Sequence, residues 1–190
     1  MKKLFLTLIL PFFTIVAFSQ KNAVIISGGY SWVNVDASEI METDPNVTGT
    51  GWRINGEYAW NPNDGKFAYG IAMGYIGVSA SYDDGSNPTD YKFSTIPMYF
   101  APRYIFGSEK VQGFVKALLG FQLSTYERKS STGTLTGDDN GFYGGGGAGL
   151  MFHVNDKIFI DAEYEIAYMT NNYYRNGLMQ TVMAGIGIKF

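Results

Sequence analysis

Apolar side chains recur at every second position along much of the chain, and the pattern is clearest from Leu178 to Phe190. In that segment one set of alternate positions is apolar, with Gln180 as the only exception, and the other set is small, polar or flexible. Side chains of a β-strand point alternately to its two faces. A period of two therefore predicts a strand with one apolar face and one mixed face.

Eight segments of this kind, joined by connections of alternating length, are predicted along the chain. Tight turns rich in Gly, Asn, Asp and Pro follow the second, fourth and sixth segments, and longer polar stretches follow the others. Short turns at one end and long loops at the other are typical of outer-membrane barrels, in which the short turns face the periplasm. The pattern predicts an all-β fold, an eight-stranded antiparallel up-and-down transmembrane β-barrel over residues 20–190. The predicted strands are 22–34, 50–61, 66–81, 91–106, 110–127, 140–154, 157–169 and 177–190, and the longer loops are 35–49, 82–90, 128–139 and 170–176.

Five of these segments have faces that can be assigned from the sequence. In 157–169, Ile158 begins an apolar set and Asp161 belongs to the opposite, acidic set. Trp52 and Trp60 stand near the ends of their segment, as in the aromatic girdles of membrane barrels. We therefore expect apolar faces to contact lipid and polar faces to line the lumen; the alternative is a soluble barrel with its apolar face inward. The first, third and sixth segments have small residues on both faces, and their inward face is left open.

The polar faces place seven charged residues at similar depths in the lumen. Eight strands leave an interior just wide enough for side chains, and at about 3.3 Å per residue these positions share its middle zone. Opposite charges there should pair, because a buried unpaired charge is costly. We expect a structural ion-pair network that closes the lumen, with room provided by glycines at 144–147, 185 and 187. Its members are Arg53, Glu57, Arg103, Lys116, Asp161, Glu163 and Glu165.

Three sets of residues suggest chemistry that the sequence does not favour. Asp161, Glu163 and Glu165 would share one side of a strand, as in a metal site or a general acid–base pair, but cations at similar depth favour ion pairing. His153, the single histidine, has no serine near it in its strand, so we expect a polar interfacial or lumen residue. The glycine-rich stretch 141–149 lacks the Lys-Ser/Thr and the helix of a phosphate-binding loop. No catalytic, metal or cofactor-binding residue is assigned.

The longer loops suggest contacts with the cell exterior. Asp83 to Asn87 is loosely similar to a calcium loop but lacks the full pattern, so a solvated acidic loop is favoured. The stretch Asn171 to Tyr174 is a candidate contact tip for a protein partner. Three cations near the outer rim are candidate contacts for lipopolysaccharide phosphates, namely Arg128, Lys129 and Arg175.

Composition adds information about the compartment. Lys2 and Lys3, an apolar run to Phe18 and small residues before the cleavage point predict that residues 1–19 are a signal peptide. A membrane anchor is disfavoured because Pro11 interrupts a run that is already short for a spanning helix. The absence of cysteine excludes disulfides and thiolate chemistry. The net charge of −3 argues against a nucleic-acid partner.

The order and spacing of several runs resemble the OmpA-like outer-membrane β-barrel domain of Bacteroidota porin-like proteins. The runs are TIPMYFAPRYIF at 95–106, GFVKALLG at 113–120, GGGGAGL at 144–150 and KIFIDAEYEIAY at 157–168. The resemblance implies an eight-stranded barrel in the bacterial outer membrane, in contact with its lipid and lipopolysaccharide. The final strand, ending in Phe190, resembles the closing strand of such barrels, which implies recognition by the barrel-insertion machinery. The family is functionally mixed, so no activity is implied.

Four functions remain open from the sequence. The first is a non-enzymatic outer-membrane barrel, structural or interaction-mediating through its loops, expected to be a monomer. The second is a narrow porin-like channel or small-solute transporter whose ion pairs open transiently. The third, a membrane enzyme acting on lipid, is disfavoured because no nucleophile–histidine pair is evident. The fourth is a secreted ligand-binding barrel of the lipocalin kind, which would be soluble without detergent.

Overall fold

A computed structural model describes residues 22–36, 46–61, 65–82, 89–130, 133–170 and 174–190. The predicted signal peptide, the calcium-like stretch at 83–87 and most of the candidate contact tip at 171–174 lie outside the described residues. No helix in the described part of the chain is long and apolar enough to cross a membrane. The strands are β1 (Asn22–Asp36), β2 (Asn46–Trp60), β3 (Phe67–Tyr82), β4 (Thr89–Phe100), β5 (Arg103–Gly107), β6 (Val111–Ser130), β7 (Gly133–His153), β8 (Ile158–Met169) and β9 (Tyr174–Lys189).

Antiparallel pairing connects the strands into a closed ring. β1 pairs with β2 on one side and with β9 on the other, where Ala23 lies opposite Lys189. β3 and β6 both pair first with β4 and then, in the same register, with β5. β4 and β5 therefore form one segment of the wall, and the ring has eight strands, which confirms the predicted fold. Among the described strands, closure leaves no backbone edge exposed to lipid.

The predicted single strand at 91–106 is wrong in one respect, because it is interrupted between β4 and β5. Ala101 still exchanges two backbone hydrogen bonds with Gly70, at 2.7 and 2.9 Å. Pro102 accepts a hydrogen bond from the Ala117 N–H at 3.0 Å but has no N–H to return. The interruption is therefore the loss of one backbone hydrogen-bond donor, and the strand pairing continues on both sides of it.

Paired residues followed once around the ring show how far the strands are staggered. The path runs through Val24, Tyr58, Ile71, Phe100, Leu119, Gly144, Tyr168 and Leu178. Next to Leu178, Met179 pairs with Val33, so the path returns to β1 about ten residues from its start. In a barrel of eight strands such a stagger corresponds to a strand tilt of about 40°.

The prediction of a loop at 128–139 is wrong, because β6 and β7 continue through it as a long hairpin. Their pairing extends to Ser130 opposite Gly133, whereas β8 stops pairing with β7 at Tyr143 opposite Met169. This part of the hairpin has polar residues on both faces, so it lacks the alternation that identified the other strands. Cross-strand hydrogen bonds, and not burial, define it.

The side chains alternate between lipid and lumen as predicted for the five assigned segments. In β2, Ile54 is 53 % exposed, whereas the adjacent Arg53 is 1 % exposed. The structure also settles the three open segments: Ile25 in β1, Ile76 in β3 and Tyr143 in β7 belong to the buried, inward set. Apolar residues thus cover the outer wall all around the described ring.

Aromatic residues of the outer wall form a belt at the end with the short turns. Trp60 lies with ring centroids 5.8 Å from Tyr69, 6.3 Å from Phe100 and 6.2 Å from Tyr58. Phe190 extends the belt, with its ring 6.4 Å from that of Tyr58. A second group of rings, which includes Trp32, Trp52, Tyr75 and Tyr164, lies nearer the other end. Belts of this kind mark the two membrane interfaces.

We expect Gly51→Ala to destabilise the barrel and Gly56→Ala, in the same strand, to leave it nearly unchanged. A Cβ on Gly51 would lie 1.7 Å from the Gly77 carbonyl oxygen, so the wall would have to move. At Gly56 the nearest atom would be 3.9 Å away. The expected loss for Gly51→Ala is about 1–3 kcal/mol, measured by urea unfolding in lipid vesicles. Equal midpoints for the two variants would contradict the close strand contact.

Candidate functional site: the polar network of the lumen

The lumen contains a cluster of charged side chains that point inward from four strands, of which only β5 and β6 are neighbours. All seven residues predicted for it are buried, with exposures of 1–7 %. They come from β2, β5, β6 and β8, so their contacts cross the lumen and do not follow one strand pair. They are Arg53, Glu57, Arg103, Lys116, Asp161, Glu163 and Glu165.

Arg53 is at the centre of one half of the cluster. Its guanidinium forms an ion pair with Glu165 and donates to the hydroxyl oxygens of Tyr143 and Tyr99, each at 3.0 Å. The Tyr143 hydroxyl donates to Glu165 Oε1 at 2.6 Å, and the Tyr99 hydroxyl donates to Asn55 Oδ1 at 3.1 Å. Arg53 and Glu165 are thus held by each other and by neutral partners, which offsets part of the cost of their desolvation.

Lys116 connects the two halves of the cluster. Its ammonium lies 2.6 Å from Glu163 Oε1, 3.5 Å from Glu165 Oε2 and 3.9 Å from Glu57 Oε2. Glu57 also forms an ion pair with Arg103. One lysine therefore contacts three carboxylates that belong to two strands on different sides of the lumen.

Asp161 is the member without an ion pair among the described residues. It is 4 % exposed, and its Oδ1 has no hydrogen-bond partner there. Arg103 and Lys116 attract it electrostatically from a longer distance. The cluster holds three cations and four carboxyl groups, so one carboxyl is left over, and the geometry identifies Asp161 as that group.

Glycines of the wall leave the space that these long side chains occupy. A Cβ on Gly147 would lie 2.8 Å from Glu163 Oε1 and 3.3 Å from Lys116 Cε. A Cβ on Gly185 would lie 2.5 Å from Asp161 Oδ1. Glycine at these two positions is explained by lumen crowding, as the sequence predicted, whereas Gly144 and Gly146 lie on the opposite face of β7 and leave no space in the lumen.

Apolar side chains lie in the lumen on both sides of the charged cluster. Towards the short turns, Phe114, Met151 and Phe159 pack together with small apolar residues of β1 and β2. Towards the other end, a larger group includes Val33 and Met179 among its members. The lumen is therefore layered, with the charged cluster between an apolar layer near the short turns and a larger, mainly apolar layer that also holds buried polar side chains such as Thr95, Gln122 and Thr181.

Sequence reasoning missed the neutral members of the network and both apolar layers. Asn55 and Tyr99 share a face with predicted charged residues of their own segments, so that alternation could have identified them. Tyr143 lies in a segment whose face was left open. Inward residues such as Ile25 and Ile76 lie in segments whose face is open from the sequence, and they are indistinguishable by type from lipid-facing residues, because a membrane barrel uses apolar residues on both sides of its wall.

The other candidate residues lie at the two ends of the barrel. His153 points inward near the short turns, where its Nε2 is 2.9 Å from Gln112 Oε1. Arg128 and Lys129 are adjacent in β6 and therefore point to opposite faces of the long hairpin. The Lys129 ammonium pairs with Glu127 at 2.8 Å. Arg175 lies in β9, and its side chain is outside the described part of the structure.

Within the described ranges, no group of three or more His, Cys, Asp or Glu side chains is arranged to hold a metal ion. Glu163 and Glu165 contact Lys116, and Glu165 also contacts Arg53, so their oxygens face cations of the protein itself. The chemistry available to the cluster is ion pairing and hydrogen bonding across a narrow lumen.

A closed ring of eight antiparallel strands, apolar and aromatic-belted outside and polar inside, defines a transmembrane β-barrel of the bacterial outer membrane. The chain belongs to the outer membrane protein beta-barrel domain family, whose profile matches residues 5–190. Class and location agree with the sequence prediction, whereas the Bacteroidota type stays a prediction. No curated protein matches the chain.

Several solved structures share the fold. Neisserial surface protein A has a TM-score of 0.59 at 16 % identity, covering 90 % of this chain and 98 % of that one. Ail, the attachment invasion locus protein of Yersinia pestis, has a TM-score of 0.54 at 20 % identity, covering 90 % and 99 %. OprG from Pseudomonas aeruginosa has a TM-score of 0.56 at 10 % identity, covering 90 % and 96 %. Identities this low support the fold and not a shared task.

We expect Lys116→Met to destabilise the barrel much more than Lys129→Met. The first change leaves three buried carboxylates without their shared cation and should cost about 3–5 kcal/mol. The second removes an exposed cation from the hairpin and should leave the unfolding midpoint unchanged. Urea unfolding of both variants in the same vesicles measures the difference. Equal shifts would mean that Lys116 does not point into the lumen.

Proposed function

We propose that this protein is a non-enzymatic outer-membrane barrel with a closed lumen, which acts through its extracellular surface. The layered lumen is the observation that carries the proposal. Charged residues that span the lumen are paired with one another, apart from Asp161, and apolar groups lie on either side of them. A barrel filled in this way supports a wall and its loops and offers no wide water path.

The lumen is proposed to be closed because an ion that passed through it would have to displace buried side chains. Arg53, Tyr143 and Glu165 are fully buried at mid-depth, and Leu118 and Met179 are fully buried in the adjoining apolar layer. An ion on this path would have to leave water and break at least one buried pair, and both steps are costly in a medium of low dielectric. The proposed resting state is therefore non-conducting.

The non-enzymatic part of the proposal rests on the chain's only histidine. A hydrolytic site of the nucleophile–histidine kind needs the nucleophile in contact with an imidazole that a third group orients. His153 instead contacts Gln112, and its ring lies 5.5 Å from that of Phe159 in the apolar layer near the short turns. This arrangement supports a structural role for the imidazole.

The extracellular surface is proposed to act through the β6–β7 hairpin. The hairpin extends beyond the last contacts of β7 with β8, at Phe142 and Thr170, so the part from Gly133 to Asn140 stands above its neighbour. Its polar, charged faces suit contacts with hydrated surfaces. A shallow recess of about 220 Å³ at its tip is lined by Arg128, Ser130 and Thr134, among others.

Lipopolysaccharide is the proposed lipid contact of this surface. Lys129 lies on the outer face of β6, and the neighbouring strand contributes exposed Lys92 on the same face, opposite Glu127. Ammonium groups at this level face the phosphates of the outer leaflet, which bind cations through charge-assisted hydrogen bonds. Of the three cations predicted from sequence, Lys129 has the geometry that supports this role best.

Insertion by the barrel-assembly machinery is also part of the proposal. β9 closes the ring against β1, and the Phe190 N–H donates to the Asn22 carbonyl at 2.9 Å. The ring of Phe190 joins the aromatic belt beside Tyr58. This segment completes both the backbone hydrogen bonding of the ring and the aromatic belt, so it is suited to recognition by the machinery while the barrel closes.

A narrow pore is the second candidate, and one observation favours it. Lys116 lies within 3.9 Å of three carboxylates, so its pairing can pass from one to another without a fully unpaired intermediate. Exchange of this kind would let the cluster rearrange and open a transient path. Both candidates use the same residues, and conductance separates them.

We expect no steady channel openings when the folded protein is reconstituted into planar bilayers, because paired charges and apolar layers obstruct the lumen. A gel shift on heating confirms that the sample is folded. Steady openings with an ion selectivity that Glu57→Gln changes and Glu127→Gln does not would contradict closure. That result would support the pore.

We expect lipopolysaccharide to raise the melting temperature of the barrel in vesicles, and we expect the combined variant Lys92→Gln and Lys129→Gln to lose most of this gain. The matched control changes Lys66 and Lys110 to Gln, at the opposite rim, and should keep it. Both melting curves are recorded with and without lipopolysaccharide. If the two double variants respond alike, the outer-face lysines are not the contact.

A further inference from the structure

A cavity of about 250 Å³ opens at the end of the lumen near the short turns, which is the periplasmic end. Its inner part is apolar and includes Met151 and Phe159 from the apolar layer. Its polar part includes Gln112, His153 and Lys189. The cavity thus combines an apolar interior with a polar rim, which is the usual composition of a small-molecule site.

The charge of this cavity is opposite to that of the chain. Its lining includes the basic residues Arg103, His153 and Lys189 and no Asp or Glu among the described residues, whereas the whole chain has a net charge of −3. Arg103 is already paired with Glu57 deeper in the lumen. The excess positive charge at the rim therefore comes from Lys189.

Lys189 is half-buried and forms no ion pair within the part of the chain that the structure describes, although Asp156 of the neighbouring turn attracts it from beyond ion-pair distance. Its ammonium lies 5.8 Å from the centre of the Phe159 ring, a cation–π contact that holds it over the cavity. A partly desolvated cation held in this way attracts an anion more strongly than a fully hydrated surface lysine does.

Gln112 and His153 form the second polar group of the rim. His153 Nε2 and Gln112 Oε1 are 2.9 Å apart, and this contact fixes the orientation of both side chains. The His153 ring also lies against Phe159. The side-chain amide nitrogen of Gln112 is a further donor at the rim.

We propose that this cavity binds a small amphipathic organic anion from the periplasm, a carboxylate with a short apolar chain. The carboxylate pairs with Lys189 and receives a hydrogen bond from the rim, and the chain packs against Phe159 and Met151. The site lies on the periplasmic side of the ion-pair network, so it exists whether or not the lumen conducts.

The size and polarity of the cavity select this class of ligand. A volume of about 250 Å³ accommodates a chain of a few carbons and excludes a whole membrane lipid. A short anion such as acetate would leave the apolar interior unused, and a neutral alcohol such as hexanol would leave the Lys189 charge without an anionic ligand. Both are therefore useful comparison ligands.

The test uses the protein in lipid nanodiscs, because detergents are themselves amphiphiles. His153 is the only histidine of the chain, so its imidazole NMR signals report on the cavity without ambiguity. We expect hexanoate to shift these signals to saturation, and acetate and hexanol to bind at least about tenfold more weakly, since each lacks one of the two interactions. The comparison of hexanoate with hexanol tests the charge requirement without any substitution.

Variants then assign the cation. Lys189→Met should weaken hexanoate binding by about tenfold or more, because it removes a charge-assisted hydrogen bond, and Lys189→Arg should retain binding. The control Lys157→Met removes an exposed lysine of the nearby turn and should change nothing. No saturable shift with hexanoate, equal binding of acetate or hexanol, or unchanged affinity in Lys189→Met would each overturn the proposal.

Discussion

Backbone pairing in the absence of water is the constraint on which this structure depends. Inside the hydrocarbon layer every N–H and C=O of the wall needs a protein partner, and the β1–β9 ladder provides it by closing the ring. Eight strands enclose a space that side chains fill. Charged side chains that point into this space have little water available, so they must satisfy one another. The ion pairs of Arg53, Arg103 and Lys116 are therefore a consequence of closure with a small number of strands.

The arrangement divides the molecule into parts with different tasks. The charged cluster and the apolar layers hold the middle of the barrel together. The β6–β7 hairpin presents polar surface at one end, and the cavity beside Lys189 presents a cationic pocket at the other. Both ends of the barrel can contact soluble or lipid molecules without any change in the charged cluster and the apolar layers between them. This division is consistent with a family of mixed function, because the residues at the two ends of the barrel can vary while the closed ring of strands is kept.

The sequence predicted the ring because alternation, turn composition and loop lengths are local signals. It also placed Arg53 and Lys116 on the inner face, since a strand with one charged face and one apolar face has a single sensible orientation in lipid. It could not identify the apolar layers as a whole, because members such as Ile25 and Ile76 lie in segments with small or apolar residues on both faces. It missed the outer part of the β6–β7 hairpin because Thr134 to Asn140 has no apolar face. It missed the interruption at Pro102 because the alternation of side chains continues unchanged on both sides of the one residue that lacks a backbone N–H.

The layering also determines what the charged cluster can sense. Mobile ions screen charges that they can approach, with a reach of about 8 Å at physiological ionic strength. Arg53 and Glu165 are enclosed by protein on every side, so dissolved salt has little access to the field between them. The Glu127–Lys129 pair is exposed at the outer rim, where dissolved ions can approach and screen it. A cell that moves between dilute and salty surroundings would thus alter the electrostatics of the barrel's rim and leave those of its interior constant.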